Sequence, residues 1–151
     1  MYTNMDQWAI GMAASQIRAM MARANGGRLP RSERGWRRLL AQHGIEIWEC
    51  RRHTRHFRGR LYIDPWGATV FLAPWLTPYQ TMRILCHELA EYLAVQLYPT
   101  PGDDACGEYH YDGGRRPQDY RHLVAKEVER MTFPRLPLFW AVRGALQERQ
   151  P

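Results

Sequence analysis

Thr77-Pro78-Tyr79-Gln80-Thr81-Met82-Arg83-Ile84-Leu85-Cys86-His87-Glu88-Leu89-Ala90-Glu91-Tyr92-Leu93 decides the fold, because it joins the clearest helix start in the chain to the spacing that carries chemistry. Thr77 has the side chain of an N-cap, Pro78 suits the first helical position, and Gln80 stands where a capping box needs an amide or carboxylate. Met82, Leu85, Leu89, Leu93 and Leu97 recur at spacings of three and four, so an amphipathic helix runs over about 77–97 and stops before Pro99.

Upstream, the hydrophobic period is two. Residues 45–50, 60–64 and 68–72 alternate as strands do, and Pro65-Trp66-Gly67 has turn chemistry, which predicts a small three-stranded antiparallel sheet. Earlier still, Ile10, Ala14, Ile17 and Met21 mark a helix over 7–24 that Asn25-Gly26-Gly27 ends. Ser32 is the N-cap of a second helix, about 33–42, burying Trp36, Leu39 and Leu40 before Gly44. Downstream, residues 99–116 are polar and glycine-rich and read as a loop. Helix resumes at about 117–132, breaks at Pro134 and Pro137, and a last segment runs from Leu138 to Gln147. No internal repeat interrupts this order, which is an α+β fold.

The chain has 151 residues, 45% hydrophobic and 24% charged, which suits one globular domain over 1–151 and excludes disorder or a collagen-like repeat. No run approaches the roughly 18 apolar residues of a membrane span, and Met1 to Gln7 lacks the features of a secretory signal. A cytoplasmic location without a membrane partner is the expectation. Cys50, Cys86 and Cys106 form no CxxC pair and are expected to be reduced. Residues 1–60 hold 12 arginines against 4 acidic residues, a net +8, while 61–151 hold 9 basic and 11 acidic residues, a net −2. Arginine clustered on a small domain is most often a solvated face, with nucleic acid or an acidic protein as the other reading. The tract Arg51-Arg52-His53-Thr54-Arg55-His56-Phe57-Arg58 reads as an exposed connection between the first two strands. Phe57 is its single aromatic residue, which gives little for stacking on a single strand, and no helix-turn-helix pattern is evident. Oligomeric state is left open.

Within the long helix, His87 and Glu91 are one turn apart and project from the same face, so they can reach one ion. Glu88 sits about 100 degrees round the helix, close enough to touch a water at that ion without ligating it. The arrangement is that of the HExxH zinc motif with Glu91 where the second His usually stands. Carboxylate oxygen binds zinc at about the same length as imidazole nitrogen, so the ligand type changes and the site survives. A catalytic zinc site needs a third protein ligand. His122 on the 117–132 helix qualifies best, sharing a face with Ala125 and Glu129. Glu127, about 140 degrees from His122 on that helix, and His110 in the loop are the reserves. Taken alone His-Glu-x-x-Glu is a weak signal, because helices are rich in Glu; the capped helix, the preceding sheet and the His-bearing helix give it weight.

Together with Gly59-Arg60-Leu61-Tyr62-Ile63 and Ala68-Thr69-Val70-Phe71-Leu72-Ala73-Pro74, the segment Met82 to Leu93 resembles the ImmA/IrrE metallopeptidases over about residues 32–134. The resemblance implies a zincin-like helical core, a zinc cofactor and hydrolysis of a specific regulatory protein, often a repressor. It also implies His87 and Glu91 as ligands and Glu88 as general base. The family's third ligand is a glutamate on the next helix, in a segment that often ends in Pro; His122-Leu123-Val124-Ala125 leading to Phe133-Pro134 occupies that place. Glu91 for His and His122 for Glu together restore two histidines and one carboxylate, so the site reads as permuted. Tyr109, His110 and Tyr111 are the loop residues that could donate to an oxyanion. The alternatives are a catalytically inactive relative serving as an interaction module and, less favoured, a basic nucleic-acid-binding regulator.

Overall fold

In a computed structural model of the chain, residues 4–51, 58–99, 106–110 and 119–134 are described. The order is α1 (Asn4–Ala24), α2 (Glu33–Gln42), β1 (Ile45–Glu49), β2 (Gly59–Asp64), β3 (Gly67–Leu72), α3 (Pro78–Leu97), β4 (Gly107–His110) and α4 (Tyr120–Thr132). The N-caps of α2, α3 and α4 are all formed by side chains. Thr77 Oγ1 accepts from Gln80 N at 3.1 Å while Gln80 Oε1 accepts from Thr77 N at 2.9 Å, a complete capping box. Ser32 Oγ accepts from Gly35 N at 3.0 Å, and Asp119 Oδ1 from Arg121 N at 2.9 Å. Gly44 closes α2 with φ 74°, a left-handed conformation that a side chain would strain.

The sheet differs from the expected three-stranded antiparallel one: it has four strands and is mixed, in the order β1-β3-β2-β4. β2 and β3 form the expected hairpin, whose turn is held by Asp64 Oδ1 accepting from Trp66 N and Gly67 N at 2.8 and 2.9 Å. β1 does not pair with β2 but runs parallel to β3, from Ile45 opposite Ala68 to Glu49 opposite Leu72. Successive strands still reverse direction; only the neighbour has changed. A connection over residues 50–58 is long enough to carry the chain across β3, whereas a tight hairpin would have forced β1 against β2. The second correction concerns residues 107–110, which are a strand, not loop. They lie antiparallel to β2 with Tyr109 opposite Leu61 and His110 opposite Arg60. The closing segment Leu138 to Gln147 and residues 52–57 of the basic tract lie outside the described residues.

One face of the sheet, carrying Ile45, Leu61, Ile63, Ala68, Val70, Leu72 and Tyr109, is buried in a core shared with the helices. α3 runs through the middle of that core. Residues 84–91 of α3 are all buried, so this stretch is covered on every side, while Leu97 at the end of the apolar stripe is 39% exposed. α4 is fixed at both ends. Tyr120 stacks edge-on against Tyr98 at 5.7 Å and donates to Ala9 O at 3.2 Å, and Phe133 packs between Trp36 and Tyr79 at 6.2 and 5.7 Å. Among the described residues no helix is long and apolar enough to cross a membrane.

β2 approaches α3 closely at Gly59, where a Cβ would stand 2.6 Å from Ile84 Cγ2. Ile84 is β-branched and buried, so it cannot swing aside without cost. Gly59→Ala is therefore expected to destabilise the fold by about 1–3 kcal/mol, the range for overpacking a core, read as a lower midpoint in urea. An unchanged midpoint would mean that β2 can move away from α3.

Candidate metal centre

Burying charge is costly, so three ionisable residues within five positions of a fully buried stretch of α3 need a reason. His87, Glu88 and Glu91 are 0%, 0% and 1% exposed, and His122 on α4 is 2% exposed. The helices bring them together because α3 and α4 pack side by side in opposite directions. Glu91 meets His122, and one turn earlier on α3, His87 meets Glu129, two turns later on α4. Spacings of four on one helix and seven on the other keep each pair on its facing side.

His87 Nε2 lies 3.2 Å from Glu91 Oε2, and His122 Nδ1 lies 3.2 Å from Glu91 Oε1, so the carboxylate bridges the two imidazoles. The rings sit 5.1 Å apart, edge to face. His87 Nδ1 in turn reaches Glu129 Oε2 at 3.2 Å, and Glu129 Oε1 accepts from Arg83 Nε and Nη2 at 3.0 and 2.7 Å. A carboxylate only accepts hydrogen bonds, so a His87 ring facing one on each side carries two protons. Its pKa agrees. Burial works to lower it, but the bonds to Glu129 and Glu91 and the nearby charges of Glu88 and Glu91 override burial and hold it at about 10. For Glu91 burial works upward, but the two histidines draw its carboxyl below the usual range. Beside them, burial pushes the Cys86 thiol up to about 12, so it stays neutral.

One donor atom from each of His87, Glu91 and His122 lies within 4.8 Å of the others. Ligands of a tetrahedral ion at about 2.0–2.2 Å stand about 3.3–3.6 Å apart, so a contraction of about an ångström would close the set. His122 Nε2 is buried and has no hydrogen-bond partner among the described residues. Two imidazoles, one of them with an orphaned buried nitrogen, and one carboxylate fit a divalent metal ion: the cluster can hold one.

The three residues read from the sequence as ligands are thus in one place. Glu88 lies on the side of α3 that meets β2, its Oε1 3.8 Å from where a Cβ on Gly59 would be. The reserve Glu127 is apart from the cluster: it pairs with Arg130 in a solvent-facing position, which draws its carboxyl pKa down. The backbone of the other reserve, His110, is in β4; its side chain and Tyr111 lie outside the described residues. Tyr109 packs into the core at 6% exposure. Sequence reasoning put Glu129 on the face of His122 without giving it a role and passed over Arg83, although Glu129 is seven residues past His122 and Arg83 four before His87.

Comparison of the chain with protein-family models, curated proteins and solved structures finds no match.

Proposed function

We propose that the chain is a zinc-dependent peptidase, similar to the ImmA/IrrE metallopeptidases, that acts in the cytoplasm on a specific regulatory protein such as a repressor. The observation that carries the reading is the buried His87-Glu91-His122 donor set, where apolar side chains would have packed at no electrostatic cost. The ligands named above would hold the ion. Bound zinc supplies a Lewis acid that brings the pKa of a water towards about 7 and polarises a scissile carbonyl. Glu88, next to His87 and turned to the side of α3 facing β2, accepts a proton on its carboxylate and returns it to the leaving amine. The free thiols Cys50 and Cys86 suit a reducing compartment.

Full burial of Glu88 supports a second reading, because a peptide must reach the base. In that reading the chain is an inactive relative, and the ion ties α3 to α4 in an interaction module. Elemental analysis of protein purified without chelator tests what the two readings share. Close to one zinc per chain is expected, and absence of stoichiometric metal would remove the enzyme reading.

A further inference from the structure

We infer that Glu129 and Arg83 are positioning residues of the metal centre: Arg83 holds Glu129, and Glu129 holds His87 by Nδ1, so that Nε2 is the atom presented to the ion. This rests on the metal-binding reading of the cluster. The geometry is specific about who holds whom. Arg83 places two bonds on Glu129 Oε1, at 3.0 and 2.7 Å, and leaves Oε2 to face His87 Nδ1 at 3.2 Å. The opposite ring nitrogen, Nε2, faces the cluster through Glu91. A ligating histidine ordinarily gives its second N–H to a carboxylate, which fixes the tautomer, stops the ring from turning over and raises the basicity of the ligating nitrogen.

The simpler account is a salt bridge that only ties α3 to α4. Arg83, at 38% side-chain exposure, is open enough for such a tie to contribute little. The Glu129–His87 contact, by contrast, is buried, and it ends on a donor of the cluster. A tie between helices would alter unfolding and leave zinc affinity alone, whereas a positioning role alters affinity and the ligand field.

Zinc affinity, measured by competition with a chromophoric chelator, and the visible spectrum of the cobalt(II)-loaded protein are to be compared for wild type, Glu129→Gln, Arg83→Met and the double variant. Circular dichroism of the metal-free proteins checks their folding. Glu129→Gln is expected to bind zinc about 10–100-fold more weakly and to shift the cobalt bands. Arg83→Met should weaken binding less, and its effect should vanish in the Glu129→Gln background because it acts through Glu129. Wild-type affinity with unshifted cobalt bands in Glu129→Gln overturns the inference while the metal reading stands. If Glu129→Gln does not fold, Arg83→Met decides: loss of affinity supports the relay and wild-type affinity overturns it. A wild-type chain that takes no zinc overturns the metal reading and the inference with it.

Discussion

Glu91→Ala is expected to leave the purified chain with little or no zinc. Glu91 is the only carboxylate in the three-donor set, and it lies against both histidines at 3.2 Å. In the proposed centre its removal takes away a ligand outright, so the loss of affinity should exceed the about 10–100-fold typical of an outer-shell partner. Stability falls as well. In the metal-free chain the doubly protonated His87 is balanced by Glu91 and Glu129, and removing one partner of a buried ion pair costs about 3–5 kcal/mol. The lower end applies here, because His87 keeps Glu129 or can shed a proton.

Two further variants separate fold from ligation. Glu91→Gln keeps the shape and hydrogen-bonding capacity but offers a poor metal ligand, so it should fold and still fail to hold zinc. Glu91→His replaces one suitable zinc donor by another and should retain the ion, with allowance for the different reach of imidazole. Equilibrium dialysis against buffered zinc reads all three. Full zinc affinity in Glu91→Ala would make Glu91 a buried partner of the histidines and nothing more, and the donor set would have to be sought elsewhere.

The parts of the fold that could be read in the sequence are those decided by near neighbours. Thr77 with Gln80, Ser32 with Gly35, and Asp64 with Gly67 are contacts across three residues, and each formed as its chemistry requires. Strand neighbours are decided at long range. The alternation in residues 45–49 identifies Ile45 as a core residue whether β1 lies beside β2 or β3, so it carries no information about partner choice. Gly107-Glu108-Tyr109-His110 has a single strongly strand-favouring residue, and it pairs because the edge of β2 is there to receive it.

The site divides in the same way. His87 and Glu91 are set by helical geometry, and His122 followed because a third donor was required and a later helix offered one. Glu129 accepts from His87 across the helix pair, and whether a seven-residue spacing produces a contact depends on how far α4 slides along α3. That register comes from packing at Tyr120 and Phe133, which no local pattern reveals. The same packing turns Glu127 outward, towards Arg130.

Glu88→Gln separates the peptidase from the inactive module. The amide has the shape of the carboxylate but cannot take up a proton at neutral pH, so a general base in this position is lost while the proposed ligands His87, Glu91 and His122 are untouched. Zinc content should equal that of wild type, and cleavage should fall by about 10²–10⁴-fold, the usual contribution of a positioned acid or base. Because the proposed substrate is a particular protein, a generic substrate such as casein is the wrong probe. New protein termini in cells expressing wild type, compared by mass spectrometry with cells expressing Glu88→Gln, give a readout that works whichever protein is the target. Termini that appear with wild type and vanish with the variant would identify both activity and substrate. Loss of zinc from the variant would instead make Glu88 a ligand and reassign the roles on α3. Equal sets of termini, with zinc retained in both proteins, would favour the module, since a carboxylate with no proton to move can be replaced by its amide at no functional cost.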